Sequence, residues 1–380
     1  MLSEKMKQKW QEACEAEDWH TLDPTFNFME LRIHDDVPSM MQAPIAWEPE
    51  DLTGEDAAFI GIPWEGAVGS GNGNSWSTCG PKEVRTDVLE GRTGAWSSPD
   101  YIRKCSKSYA IHGSGLFCPE VSQDFRVMDH IEIMDYANVN VDTPDSEKMA
   151  RNAIAKVGDI VRAGAVPLVF GGDHSIPYPV VKAISDNTEG KTGVIWFDSH
   201  YDIGFGGPVE RPYNTLTRLN AENAIYRIVE SCDVDLENIC IIGISSPNFN
   251  SPAMGRLAKE LGVTVFTRED VCQQGIKAVT EQALEIVNRG TERTYVSFDL
   301  DALDALTFPA QKYVEPFGIS FQDAITALRT IVSNTNTAGM DLCCMGPAYD
   351  VNGLGGVNAC RMYIEILKGL ALKKMAKRSE

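Results

Sequence analysis

Histidine and aspartate residues cluster at three places in this chain, each directly after a short apolar run. The runs are VPLVFGG (166–172), TGVIWF (192–197) and TYVSF (294–298). The residues that follow them and could bind a metal are His174, Asp198, His200, Asp202, Asp299 and Asp301. Because residues i, i+2 and i+4 of an extended chain share one face, the members of each cluster are expected to project together.

These six side chains have the chemistry of a binuclear metal centre. Ligands of parallel α/β sheets bind beyond the carboxyl ends of the strands, and all three clusters occupy such ends. Imidazole and carboxylate groups suit divalent first-row ions, and carboxylates can bridge two of them. Two ions about 3.5–4 Å apart lower the pKa of a shared water toward 7. The pattern therefore predicts a hydrolase with two divalent metal ions.

The same residues also have a structural interpretation. A single aspartate after a strand is most often a turn former or a helix N-cap, and we prefer that interpretation for Asp173. It does not account for the D-x-H-x-D cluster, because converging carboxylates without a cation repel one another. The isolated histidines are interpreted as surface or core residues; they are His20, His34, His112 and His130.

The elements that must position these residues alternate along the chain. Short apolar runs at 56–64, 166–172, 192–198, 238–245, 263–267, 294–301 and 339–345 are typical of buried parallel strands. Helical patterns at 146–164, 252–262 and 268–290 lie between them. The alternation predicts an α/β fold with a mostly parallel central sheet. Residues 1–50 are predicted to be an N-terminal extension and residues 51–380 a single catalytic domain. The long loops at 64–81 and 204–217 are predicted to be functional.

The charge and composition of the chain indicate which classes of molecule it can bind. The formal charge of −20 leaves no basic cluster for nucleic acid, whereas it suits a small cationic substrate. No secretory signal and no apolar run of membrane-spanning length is present, so neither secretion nor membrane insertion is predicted. The ten scattered cysteines predict reduced thiols in the cytoplasm. Adjacent Cys343 and Cys344 are expected to point to opposite faces of a strand.

Three blocks of the sequence resemble the signature blocks of the ureohydrolases, the arginase/agmatinase superfamily. They are GGDHS (171–175), DSHYD (198–202) and SFDLDALD (297–304), and the resemblance extends over residues 56–373. It implies an arginase-like three-layer α/β/α sandwich, in a trimer or hexamer that is a homo- or hetero-oligomer. It also implies two divalent ions, typically Mn²⁺, with Ni²⁺ in some branches.

The resemblance further implies a role for each ligand. One metal would be bound by His174, Asp198, Asp202 and Asp299, and the other by Asp198, His200, Asp299 and Asp301. Asp198 and Asp299 would bridge the two ions. In the implied reaction, hydroxide held between the metals attacks the guanidinium carbon. Asp202, the predicted catalytic residue, relays a proton to the departing amine.

Two positions depart from the family pattern where substrate would bind. Asn214 stands about where a His-Gly pair is usual, and Cys344 stands where a glutamate holds the guanidinium group. Both are predicted to bind substrate. The departures favour a small or N-alkylated guanidine or a biguanide as the substrate, such as dimethylguanidine or metformin. This would resemble the nickel-dependent branch of the superfamily. Agmatine and guanidinobutyrate remain alternative substrates. A non-catalytic subunit of a hetero-oligomeric ureohydrolase is the other alternative, although such a subunit need not keep all six ligands.

Overall fold

The computed structural model describes residues 33–34, 37–66, 92, 94–111, 115–141, 145–204, 219–247 and 250–379. Two two-residue strands, β1 and β2, pair antiparallel, and eight longer strands form the central sheet. The strands are β1 (Ile33–His34), β2 (Val37–Pro38), β3 (Ala57–Gly61), β4 (Ile133–Asn138), β5 (Val166–Phe170), β6 (Thr192–Phe197), β7 (Ile239–Ile244), β8 (Thr264–Thr267), β9 (Arg293–Asp299) and β10 (Thr337–Cys343).

The central sheet is parallel throughout, with the order β4-β3-β5-β10-β9-β6-β7-β8. The strands at its centre are almost wholly buried, as their β-branched and aromatic composition predicts. The three strands that precede the ligand clusters, β5, β9 and β6, lie within four consecutive positions of this order. Because all strands run the same way, their carboxyl ends meet at one edge.

Helices cover both faces of this sheet. In the described ranges they are α1 (Ser98–Cys105), α2 (Ser146–Arg162), α3 (Pro177–Asn187), α4 (Ala224–Ser231), α5 (Pro252–Glu260), α6 (Arg268–Gln274), α7 (Ile276–Val287), α8 (Phe321–Asn334) and α9 (Leu354–Ser379). Among the residues that the structure describes, none of the helices combines the length and the apolar character needed to cross a bilayer.

Two hydrophobic cores separate the three layers. Alternate residues of β3 divide between them, since Phe59 belongs to one core and Ile60 to the other. On the first face Phe59 packs edge-on against Tyr363 of α9, with ring centroids 5.6 Å apart. On the second face Ile60 shares a core with Val157 of α2 and Val181 of α3. The predicted α/β/α sandwich with a parallel central sheet is therefore confirmed.

One strand of the central sheet was missed by the sequence patterns. β4 (IMDYAN) forms an edge of the sheet, and Asp135 interrupts its apolar character. Asp135 is buried because the guanidinium of Arg103, on α1, donates to both of its carboxylate oxygens at 2.8 Å. A buried charge with such a partner is tolerated in a strand, and the partner lies 32 residues away.

The helical pattern predicted over residues 268–290 is divided in two. Gly275 separates α6 from α7 and adopts a φ of 81°, a conformation that favours glycine. Apolar periodicity continues on both sides of the break, so periodicity alone does not reveal it.

Part of the predicted N-terminal extension packs on the domain. Met40 and Met41 are fully buried, and the backbone amide of Met40 donates to the Asp135 carboxylate at 2.6 Å. The domain boundary at residues 50 and 51 stays a prediction.

Candidate metal centre

A tight turn after β5 places the first histidine. Gly171 and Gly172 have φ values of 111° and 65°, which bend the chain sharply at the end of the strand. A Cβ atom on Gly172 would lie 2.9 Å from the backbone oxygen of Ile62. Only glycine fits this close approach of two backbones. The turn directs the fully buried His174 toward the ends of β6 and β9.

Three of the predicted ligands converge on a ring nitrogen of a fourth, His174. Its Nδ1 atom lies 3.0 Å from Asp198 Oδ2, 3.1 Å from Asp202 Oδ2 and 3.2 Å from Asp299 Oδ2. These are the four residues predicted to bind one metal. The structure therefore brings this group together.

A second group forms around His200. Its Nδ1 atom lies 3.3 Å from Asp198 Oδ1 and 3.4 Å from Asp301 Oδ2. Asp198 thus presents one carboxylate oxygen to each group. The Oδ2 atom of Asp299 faces His174, and its Oδ1 atom accepts a hydrogen bond from the backbone amide of Asp301 at 2.9 Å. Its role as a second bridge stays a prediction.

The electrostatics of these groups favour a bound cation. Burial and the charge of Asp299 raise the pKa of the Asp301 carboxyl well above its usual range. Burial and the charge of Asp198 raise the pKa of the Asp202 carboxyl to about 6. Both carboxylate oxygens of Asp301 and the Nδ1 atom of His174 are buried without a hydrogen-bond partner. Unsatisfied, repelling ligand atoms of this kind fit two divalent cations.

A hydrogen-bond chain orients His174. Its Nε2 atom lies 3.0 Å from Ser297 Oγ, and the Ser297 hydroxyl donates to Asp341 Oδ1 at 3.2 Å. Because the serine proton goes to Asp341, the serine oxygen accepts from His174 Nε2–H. This tautomer leaves Nδ1 with a free lone pair that faces the carboxylates. The ring also stacks on Trp196, with centroids 4.0 Å apart.

His200 is held in a similar way. Its Nε2 atom lies 3.2 Å from Glu315 Oε1, which also accepts a hydrogen bond from the Ser246 hydroxyl at 2.8 Å. The backbone amide of Glu315 donates to Gln311 Oε1 at 2.9 Å. Sequence reasoning missed Ser297, Asp341, Glu315 and Ser246. The only available signal was that Ser297 and Asp341 lie two residues before the ends of their strands.

The ligand groups open into a cleft of about 650 Å³, a volume that includes its mouth. Besides ligands, its lining contains Ile203, Glu222, Met254, Lys312, Tyr313 and Cys344. Lys312 is buried, and its Nζ atom forms an ion pair with Glu65 Oε1 at 3.1 Å. The cleft therefore combines apolar, acidic and basic groups beside the metal ligands.

Two predicted site residues of this cleft have unusual backbones. Asp202 and Cys344 have φ values of 44° and 62°. Positive φ is uncommon outside glycine and persists where the surrounding structure over-determines it, often at functional sites. Their roles in proton relay and substrate binding stay predictions. Asn214 lies outside the described residues, as does most of each predicted functional loop, at 67–81 and 205–217.

The expected orientation of the adjacent cysteines is wrong. The sulfur atoms of Cys343 and Cys344 and a carboxylate oxygen of Asp299 all lie within 4.8 Å of one another. Strand alternation ends at Cys343, the last residue of β10, and the positive φ of Cys344 turns its side chain back. The two thiols therefore lie side by side next to the metal ligands.

Comparison with known proteins identifies the family of the chain. The model of the arginase family matches residues 55–368. The chain is 25% identical over 323 residues to the formimidoylglutamase of Halalkalibacterium halodurans, covering 84% of this chain and 93% of that protein. It is 26% identical over 334 residues to the mitochondrial agmatinase of Gallus gallus, covering 87% and 85%.

A solved structure has the same fold. The crystal structure of Trypanosoma cruzi formiminoglutamase with Mn²⁺ superposes with a TM-score of 0.68 and 19% identity, covering 88% of this chain and 99% of that one. The curated relatives are named for different substrates. Their similarity therefore does not select one substrate for this chain.

Proposed function

Because the chain belongs to the arginase family of C–N hydrolases, we propose that it hydrolyses a small or N-alkylated guanidine or biguanide. N,N-Dimethylguanidine and metformin are the proposed examples, and the products are an amine and urea or a urea derivative. The observation that carries the proposal is the pair of ligand groups that share Asp198.

Different residues of the chain have different roles in the proposed reaction. Two divalent ions, when bound, supply Lewis-acid activation of water at neutral pH. His174 and His200 are oriented by their hydrogen-bond partners to present Nδ1 toward the carboxylates. Asp202 faces both His174 and the cleft, where its carboxylate is placed to accept a proton and deliver it to the departing amine.

The lining beside the metal ligands supports an N-alkylated substrate. Cys344 presents a thiol there, and Ile203 and Met254 add apolar surface to the cleft. A carboxylate at the position of Cys344 would select N–H donors, whereas a thiol and apolar groups tolerate methylated nitrogen. This is the reason for preferring dimethylguanidine or metformin over agmatine or guanidinobutyrate.

The metal and the assembly are further parts of the proposal. Mn²⁺ and Ni²⁺ both accept imidazole and carboxylate ligands, and the Trypanosoma cruzi structure contains Mn²⁺. A trimeric or hexameric homo- or hetero-oligomer in the cytoplasm is proposed. Exposed apolar side chains support association; they include Leu306 at 90% exposure, Phe317 at 59% and Val351 at 53%.

A substrate panel tests the proposal. The purified chain, loaded with either Mn²⁺ or Ni²⁺, is supplied with guanidine, agmatine, guanidinobutyrate, dimethylguanidine or metformin, and release of amine and urea is followed. We expect the highest kcat/KM for dimethylguanidine or metformin. Preference for agmatine or guanidinobutyrate would contradict the proposed substrate class. No hydrolysis until a second subunit type is added would support the non-catalytic subunit instead.

A further inference from the structure

Glu222 is an acidic residue of the cleft that belongs to neither metal-ligand group. It lies in the 3-10 turn Ala221–Asn223 and lines the same cleft as Asp202. Its side chain is partly buried. Nothing in the metal chemistry accounts for a carboxylate at this place.

The backbone of this turn is held against the loop that carries Asp202. The amide of Gly204 donates a hydrogen bond to the backbone oxygen of Glu222 at 2.6 Å. A Cβ atom on Gly204 would lie 2.2 Å from that same oxygen, so the contact leaves no room for a side chain. Asn220 and Asn223 close the turn with a capping box. The position of Glu222 beside Asp202 is therefore set by the backbone.

Other carboxylates near the cleft have partners. Glu65 is paired with Lys312, and Asp173 accepts a hydrogen bond from the Gly66 amide at 2.7 Å. Glu315 accepts from Ser246. In contrast, no hydrogen bond or ion pair reaches the Glu222 carboxylate from the described part of the chain.

The lack of a partner among the described residues has an energetic consequence. Burial, reinforced by the charge of Asp202, raises the pKa of the Glu222 carboxyl to about 7. A carboxylate that has lost solvent is stable in its charged form only when a cation is placed beside it. Lys312, the lysine of the cleft lining, is already held by Glu65. A cationic ligand in the cleft would supply a positive charge that no described residue places beside Glu222.

We propose that Glu222 binds the cationic amidinium group of the substrate and selects charged over neutral ligands. An amidinium or guanidinium ion offers parallel N–H donors, which match the two oxygens of a carboxylate. Ile203 and Met254, in the same lining, leave apolar surface for alkyl groups on the ligand. The inference rests on the proposed function, because it assigns a recognition residue to that substrate class.

Binding of a charged probe and its neutral counterpart tests the assignment. The probes are acetamidinium and acetamide, titrated into the metal-loaded full chain at pH 8 and followed by ligand-observed NMR, which also reports any hydrolysis. Glu222→Gln is expected to weaken acetamidinium binding about tenfold and to leave acetamide binding within about twofold. The matched control is Glu237→Gln, which removes an exposed carboxylate and is expected to change neither.

The Glu222→Asp variant distinguishes loss of the negative charge from a folding defect. It keeps the charge on a shorter side chain and is expected to retain more acetamidinium affinity than the glutamine variant. Equal acetamidinium affinity in the wild type and in Glu222→Gln overturns the assignment, as does an equal loss for both probes.

The experiments can contradict the proposed function and the assignment of Glu222 independently. If the wild type hydrolyses a guanidine while Glu222→Gln binds acetamidinium normally, the proposed function stands and the assignment of Glu222 falls. If acetamidinium binding depends on Glu222 and no guanidino compound is hydrolysed, the recognition role stands and the proposed function falls.

Discussion

Asp299 belongs to the candidate ligand group around His174 and is predicted to bridge to the group around His200. One of its oxygens faces His174 at 3.2 Å, and the other accepts from the Asp301 amide at 2.9 Å. If it bridges both ions, Asp299→Asn removes a negative charge that both need. We expect metal content to fall from two ions per chain to fewer than one, with loss of activity, as measured by elemental analysis and amine release.

A matched variant separates this effect from a general loss of charge. Asp186→Asn makes the same change at an exposed carboxylate on α3 and should keep both ions and full activity. Two ions per chain in Asp299→Asn would show that the bridging assignment is wrong.

Cys344 is the residue where substrate preference is expected to change most. Its side chain lines the cleft, and its sulfur lies within 4.8 Å of Asp299. Cys344→Glu places a carboxylate there that favours N–H donors over methylated nitrogen. We expect the ratio of kcat/KM for dimethylguanidine to that for guanidine to fall about tenfold or more.

The buried position makes folding of this variant a concern, so circular dichroism accompanies the kinetics, and Cys344→Ser provides a small polar control. A ratio of kcat/KM that matches the wild type would remove Cys344 from the substrate pocket.

At the scale of elements, the register of β9 and β10 supports one half of the metal centre. Ser297 on β9 pairs with Asp341 on β10. The Ser297 hydroxyl and the Asp341 carboxylate together hold His174 in the tautomer that leaves Nδ1 free to bind a metal. Removing such a partner typically costs about 10–100-fold in metal affinity.

Ser297→Ala is therefore expected to weaken binding of the ion beside His174 by about 10–100-fold. The affinity for the ion beside His200 should not change. Metal titration against a chelator measures both affinities. Ser333→Ala, at an exposed site on α8, is the control. An equal loss at both sites would show that the register does not act through His174 alone.

At the scale of the whole molecule, the metal centre lies where β5, β6 and β9 end, so bound ions are expected to stabilise the entire sheet. Without them, four carboxylates converge in a space from which water is largely excluded. An ion at 100 times its Kd contributes about 2.7 kcal/mol to the free energy of unfolding.

Removal of metal by a chelator should therefore lower Tm by several degrees, and added Mn²⁺ or Ni²⁺ should restore it. Differential scanning calorimetry measures the shift. In Asp299→Asn, added metal should raise Tm much less. An identical Tm with and without metal would contradict the coupling between the ions and the fold.

The sequence by itself determined the fold class and predicted the six candidate metal ligands. Both are local signals, because each ligand follows an apolar strand within a few residues and strands alternate with helical patterns. Parallel strands place their carboxyl ends at one edge, so the convergence of the three clusters could be predicted without coordinates.

Only the tertiary structure decided the surroundings of those ligands. Ser297 meets Asp341 across 44 residues because β9 and β10 are neighbours in the sheet, which no local pattern reports. Cys344 lies beside Cys343 because the chain turns at a positive φ. Glu222 reaches the cleft because its turn packs on Gly204. Strand order, register and close packing are set by the whole chain, so these residues could not be found from spacing alone.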